Sequence, residues 1–319
     1  MNFDYSEEQR MLQQEARKFL TANSDAVAVR RVLDDPNKPY DDGLWASIAK
    51  LGWLGAIIPE SDGGFGLNAT DLCAISEELG RAVAPIPFSS TAYLFTQAIL
   101  LAGSEEQRLS LLARVAEGNL IGCFATSEGA GTGTNETRVE GGRLNGIKVP
   151  VTDGDIADFA IVLASDEDGS SLYLTDLRAD GVQARTLSTL DPSRSAAELT
   201  FSSTPVERLG ESGKGQELVQ QIFDRAAIYI AFEQIGGADA VLELARDYAL
   251  ERYAFGRPIG SFQAIKHRIA NMYVRNQIAR SHCYYGAWAL EAQSEELPKA
   301  AAAARVAANE AFRFAAKEA

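Results

Sequence analysis

Tyr248-Ala-Leu-Glu-Arg-Tyr-Ala-Phe-Gly-Arg-Pro-Ile-Gly-Ser-Phe-Gln-Ala-Ile-Lys-His267 is the stretch that decides how this chain folds. It interrupts two long helical patterns. Upstream, Gly215 to Arg252 reads as one helix whose apolar face carries Leu218, Ile222, Ala226, Tyr229 and Ile230. Downstream, a second helix runs from about Gln263 to Gln293. Between them, Phe255-Gly256-Arg257-Pro258-Ile259-Gly260 carries the glycines and the proline that stop a helix. Pro298 starts or precedes a last, alanine-rich helix, which reaches Ala319 without a visible cap, as if the chain stopped inside an element.

Residues 1–118 also read as helices. Phe3, Met11, Leu12, Ala16, Phe19 and Leu20 fall on one face at helical spacing. A second helix spans Asp41 to Leu51, ended by Gly52, and a turn-rich loop follows through Pro59, Asp62, Gly63, Gly64 and Gly66. Asn68 or Thr70 caps the next helix, which runs to Gly80; two more cover about Thr91–Gly103 and Glu105–Glu117.

Residues 119–205 change character. Short alternating runs appear at Leu120–Thr126, Thr137–Leu144, Ala160–Ala164, Ser171–Asp176, Val182–Thr186 and Ala196–Ser202, with turn residues between them. That spacing predicts a β-sandwich or small barrel. The expected architecture is therefore α+β in three blocks: an N-terminal helical domain (1–118), a β-domain (119–205) and an incomplete C-terminal helical bundle (206–319).

The totals bound the function. With 319 residues, 46% of them hydrophobic, the chain can bury a sizeable core. Its net charge of −14 repels phosphate backbones and argues against nucleic-acid binding, although local cations and helix N-termini can still hold an anionic ligand. Cys73, Cys123 and Cys283 are far apart and lack metal-ligand or disulfide spacing; they read as buried thiols in a reducing cytoplasm. His267 and His282, the only histidines, give no metal spacing either. The acidic N-terminus is no signal peptide, and no apolar run is long enough to span a membrane.

The Tyr248–His267 stretch closely resembles the C-terminal domain of acyl-CoA dehydrogenases, whose pattern is roughly YAxxRxxFGxPIxxFQxxxH. Three other segments agree in the family's order. Leu51-Gly-Trp-Leu-Gly-Ala-Ile-Ile-Pro-Glu60 with Gly63-Gly-Phe-Gly66 is similar to the N-terminal helical domain. Ala125-Thr-Ser-Glu-Gly-Ala-Gly-Thr132 and Leu144-Asn-Gly-Ile-Lys-Val-Pro-Val-Thr-Asp-Gly154 are similar to the two flavin-contacting strands. Asp191-Pro-Ser-Arg194 resembles the steroid and aromatic-pathway branch. The resemblance implies FAD as cofactor and an acyl-CoA substrate dehydrogenated between its α and β carbons. It also implies electron transfer to an electron-transfer flavoprotein and assembly as a homo- or hetero-oligomer, dimer or tetramer.

The residues it points to suit that chemistry. Arg252, Phe255 and Gln263 match positions that hold the FAD of a neighbouring subunit; a guanidinium fork can bind a pyrophosphate bidentately. Thr126 and Thr152 match positions near the flavin ring, and Thr132 one near the pyrophosphate. Pro150 stands where many members place a tryptophan against the flavin. The base is carried either near a C-terminus beyond Ala319 or on the first long helix of the C-terminal domain, where the counterpart is Ala226. Glu233 lies seven residues on, about 700° round the helix and roughly 10 Å further along, in an apolar glycine-rich patch that would raise a buried carboxyl's pKa. Asp224 is out of phase with it. Glu233 is thus the candidate base. Two alternatives stand beside the active dehydrogenase: a non-catalytic or half-site subunit of a hetero-oligomer, and a related flavin monooxygenase.

Overall fold

The computed structural model describes residues 4–35, 37–130 and 136–319. Helix α1 (Glu7–Asn23) starts at a capping box in which Ser6 and Gln9 satisfy each other's backbone N–H. It buries Ala16 and Leu20, whereas Met11, expected on the same face, is 67% exposed. A short α2 (Ala26–Leu33) follows, too brief to show a periodicity in the sequence. Asp41 caps α3 (Asp42–Lys50), and Asn68, not Thr70, caps α4 (Ala69–Arg81) in a second capping box with Asp71. The predicted helix near Thr91 begins earlier, as a π-helical turn over Ser89–Phe95, before α5 (Thr96–Ala102) and α6 (Glu105–Ala116).

The β-block is one mixed eight-stranded sheet. Its strands are β1 (Gly122–Ala125), β2 (Arg138–Glu140), β3 (Arg143–Thr152), β4 (Phe159–Asp166), β5 (Gly169–Asp176), β6 (Val182–Thr186), β7 (Ala196–Pro205) and β8 (Glu207–Leu209). The order is β6-β7-β3-β2-β4-β5-β8, and β1 runs parallel to β4. The expected Thr137–Leu144 strand is split by the Gly141-Gly142 turn, whose residues both have positive φ. Then come α7 (Gly215–Glu251), a small hairpin of β9 (Tyr253–Ala254) and β10 (Arg257–Pro258), α8 (Gln263–Glu291) and α9 (Leu297–Glu318).

Two compact units result. The sheet unit comprises Ala26–Leu67 and Pro85–Ala226. Its β4 is apolar on both faces. Ile161 and Leu163 join Phe95, Ile99, Leu112 and Ile222 in one core, while Ala160, Val162 and Ala164 join Val151, Leu199 and Phe201 in another. A strand covered on both sides needs an unbroken apolar run, and Ala160–Ala164 supplies it. Phe88, Tyr93 and Phe95, bulky residues around the π-turn, are fully enclosed in this unit.

The helical unit comprises Met1–Asp25, Asn68–Ala84 and Ala227–Ala319. Close packing rests on small residues. On α9 the buried stripe is Ala300, Ala301, Ala304, Ala308, Ala311 and Ala315, which lets α8 and α9 approach closely along their length. Backbones of α4 and α7 also meet directly. A Cβ on Gly80 would lie 2.0 Å from the Glu233 carbonyl oxygen, and one on Gly236 would lie 1.8 Å from that of Glu77. A buried polar seam crosses the same contact. Arg280 of α8 donates to Glu77 Oε1 (2.8 Å) and Asp239 Oδ2 (2.5 Å), Asn276 donates to Asp239 Oδ1 (2.7 Å), and the Tyr5 hydroxyl donates to Glu77 Oε2 (3.1 Å).

Among the described residues no helix is long and apolar enough to cross a membrane. All three cysteines are free and buried, as the sequence suggests.

Candidate functional site

In the helical unit the decisive stretch folds into a hairpin standing at the N-terminus of α8. Its two central residues, Phe255 and Gly256, both have positive φ (53° and 77°), the conformation of a type I′ turn. Glycine adopts it freely; a phenylalanine there is unusual. The turn leaves the Phe255 side chain 95% exposed, with its edge towards Phe262 (centroids 6.1 Å apart), and Arg257 sits 4.1 Å above the Phe262 ring. The hairpin is closed at its base by the Ile259 N–H donating to the Arg252 carbonyl (2.7 Å).

This arrangement brings Arg252, Phe255 and Gln263 to one end of α8, all of them exposed. Gln263 is the first residue of a 29-residue helix whose N-cap, Phe262, supplies no side-chain hydrogen bond. The uncapped helix end and the nearby guanidinium present donors and positive charge outward, the donor set that a pyrophosphate requires. The Ser261 hydroxyl beside it is buried and without a partner, a further donor for such a group. His267, one turn into α8, is exposed.

In the sheet unit, Thr126 follows β1 and is half-buried, and Thr152 ends β3 and is exposed. Thr132 lies outside the described residues. The segment after β1 is laid along β3: the Val149 N–H donates to the Ser127 carbonyl (2.9 Å), and Glu128 bridges to Val149. A charge pair invisible in the sequence clamps it there. Lys148, fully buried, donates to Glu128 Oε1 (2.7 Å) and to the Thr126 carbonyl (3.4 Å). Glu128 also accepts from the N–H groups of Glu136 (2.6 Å) and Thr137 (3.0 Å). Pro150 is exposed in a bulge where β3 loses register with β7.

Burial pushes the Glu128 carboxyl up, but the Lys148 hydrogen bond and those from Glu136 and Thr137 outweigh it and hold its pKa at about 2. A carboxyl depressed in the folded state stabilises above its unfolded value of 4.5 and loses that contribution as pH falls from 4.5 towards 2. Acid titration followed by circular dichroism is expected to show the sheet unit weakening in that window. A Lys148→Met chain should begin to weaken at higher pH, because its Glu128 then protonates earlier. An unchanged acid midpoint in that variant would remove the pair from the stability of the strand.

The candidate base, Glu233, is half-buried on α7, on the turn whose backbone touches Gly80. It is less enclosed than the apolar sequence around it suggests. Arg305 of α9 donates to the neighbouring Gln234 Oε1 (2.5 Å); burial pulls the Arg305 guanidinium down while the charge of Glu233 holds it up. Ala226, expected from the sequence to stand at a helix-borne base position, is 2% exposed and has no polar side-chain atom. Asp224 is nearly buried and accepts from Gln220 (2.8 Å) on its own helix. No group of metal-binding side chains occurs among the described residues.

Sequence reasoning missed the Lys148–Glu128 pair and a buried cluster around Asp153. The only sign of either is a charged residue set within a strand's alternation or at its end.

The sheet unit carries hydroxyl groups at its strand ends, and the helical unit's hairpin carries an arginine, an exposed aromatic ring and a helix N-terminus without a side-chain cap. Residues 6–119 match the acyl-CoA dehydrogenase N-terminal domain and residues 213–319 its C-terminal domain. The chain is 33% identical over 313 residues to acyl-CoA dehydrogenase IpdE2 of Mycobacterium tuberculosis, covering 98% of this chain and 84% of that one. Its fold superposes with a TM-score of 0.87 on the Tcur3481-Tcur3483 steroid ACAD (31% identity, 98% and 85% covered). Against the ChsE4-ChsE5 complex from Mycobacterium tuberculosis the TM-score is 0.90 (26% identity, 100% and 86% covered). The chain belongs to the acyl-CoA dehydrogenase family of FAD-dependent oxidoreductases.

Proposed function

We propose that this chain oxidises an acyl-CoA thioester across its α,β bond to the trans-2-enoyl-CoA, with Glu233 as the base that removes the α-proton. The observation that carries the reading is the hairpin at α8, which offers Arg252, Phe255, Gln263 and an uncapped helix end together. Arg252 and the α8 N-terminus hold the pyrophosphate of an FAD belonging to a neighbouring copy, with Phe255 and Gln263 as further contacts. Thr126 and Thr152 hydrogen-bond near the flavin ring, and Thr132 serves the pyrophosphate. When bound, FAD would supply the acceptor for the hydride of the β-carbon, and an electron-transfer flavoprotein in the cytoplasm would take the electrons onward. Asp191-Pro-Ser-Arg194 and the likeness to a steroid enzyme support a place in the steroid-degrading branch.

Anaerobic titration of the yellow protein with a panel of acyl-CoAs, followed near 450 nm, is the test. Bleaching by an acyl-CoA is expected. The Glu233→Gln chain should bleach more slowly by about 10²-fold or more, the usual weight of a positioned base; full-rate bleaching removes Glu233 from that role.

One observation favours a second reading. Ala226 fills, buried, the helix position where a base is expected, and one of the solved structures named above is the ChsE4-ChsE5 complex. In this reading the chain is the half-site partner of a hetero-oligomer. Protein that is colourless alone, and yellow only with a second chain, selects it.

A further inference from the structure

The strand end that carries Thr152 is followed at once by a residue that breaks two rules. Asp153 is 1% exposed, and its backbone has φ 57°. Side chains with a Cβ rarely take that conformation, although aspartate and asparagine tolerate it best. Carboxylates are seldom buried without strong partners. Strained residues of this kind persist where surrounding structure fixes them, and they gather at functional sites.

The partners of Asp153 come from every side of it. Ser90, in the π-helical turn, donates to Oδ2 (2.6 Å). Ser195, just ahead of β7, lies 3.5 Å from Oδ1 and donates more closely to Asp155 Oδ1 (2.6 Å). The Asp153 N–H donates to the Ser195 carbonyl (2.9 Å), and the Asp153 carbonyl accepts from Ile156 and Ala157. Arg194 supplies the positive charge that faces it. That guanidinium also donates to the Ile86 carbonyl (2.6 Å) and to Ser89 Oγ (3.1 Å), so it grips the same π-helical turn. Thr186 holds the far side of the cluster by donating to Asp155 Oδ2 (2.7 Å). Just upstream, the bulge at Val149-Pro150 re-aims β3. The direction of the strand end is therefore set by the bulge on one side and by Asp153 on the other.

We propose that Asp153 is a positioning residue: its buried carboxylate ties the end of β3 to Ser90 of the π-helical turn and to the Arg194-Ser195 segment, and so fixes the orientation of Thr152 towards the flavin. The Asp191-Pro-Ser-Arg194 segment gains a physical role through Arg194, as the countercharge and second clamp of this hub. The proposal rests on the reading that Thr152 meets the flavin.

The experiment compares Thr152→Ala, Ser90→Ala, Asp153→Ala and Asp153→Asn in the FAD-loaded protein. It measures the visible flavin spectrum and the FAD dissociation constant, with circular dichroism to confirm the fold. Ser90→Ala and Asp153→Ala are expected to weaken FAD binding at least tenfold and to shift the flavin bands as Thr152→Ala does. Asp153→Asn keeps an oxygen for the Ser90 hydroxyl and accepts the positive φ, and should recover to within about threefold of the parent. Folded Ser90→Ala and Asp153→Ala chains with parental spectra and affinity, beside an altered Thr152→Ala chain, overturn the role of Asp153 while leaving Thr152 at the flavin. An unaltered Thr152→Ala chain overturns the reading of Thr152 itself, and the proposal with it.

Discussion

Gly236→Ala is expected to cost the helical unit about 3 kcal/mol or more, the upper range for overpacking a rigid interior. The added Cβ would stand 1.8 Å from the Glu77 carbonyl oxygen, 2.8 Å from its carbon and 3.1 Å from the Arg81 nitrogen. All three are backbone atoms of α4, so no side chain can swing aside. The two helices must separate, and separation opens voids along a contact that includes Gly80 and the Glu233 turn. An opposite sign is expected at Gly43 in α3, where a Cβ meets only Asp41 Oδ1 at 3.5 Å. There the helical gain of alanine over glycine, about 1 kcal/mol, should appear uncancelled. Urea denaturation followed by circular dichroism checks both. A Gly236→Ala midpoint equal to the parent's would mean that α4 and α7 are less tightly joined than described.

Arg280→Met is the second large effect. Burial pulls the Arg280 guanidinium down, but the charges of Glu77 and Asp239 and its hydrogen bond to Glu77 outweigh this and keep it protonated. Removing it leaves two enclosed carboxylates facing each other without a cation, and breaking a buried pair this way costs about 3–5 kcal/mol. Adding Glu77→Gln or Asp239→Asn to Arg280→Met should recover part of the loss. A deficit unrelieved by either second change would show that Arg280 acts by packing alone.

Much of the fold was legible because its signals are local. The apolar period of Gly215–Arg252, the helix start offered at Asn68 or Thr70, and the glycine turns between strands each act within a few residues. Elements whose cause lies elsewhere in the chain were not legible. The π-helical form of Ser89–Phe95 is gripped by Asp153 and Arg194, more than sixty residues away. Strand β8 exists through its pairing with β5. Of the candidate site, Arg252, Phe255 and Gln263 were named from the family resemblance, and the hairpin and helix start bring these near neighbours to one end of α8. The surroundings of Glu233 could not, since Arg305 arrives on another helix. The apolar sequence around Glu233 also suggested more enclosure than the half-buried side chain has.

The helical unit takes its first helix from the beginning of the chain and closes it with α8 and α9. At about 5–20 residues per second of synthesis, Tyr5 waits on the order of tens of seconds at the ribosome before Arg280 and Tyr284, its companions across the seam, are made. Until α7 emerges, α1 and α4 have only each other within the helical unit to cover Leu20, Cys73 and Ile75. The nascent chain therefore carries an unfinished apolar surface through that interval, and its yield in a cell depends on whatever shields that surface until α8 and α9 emerge.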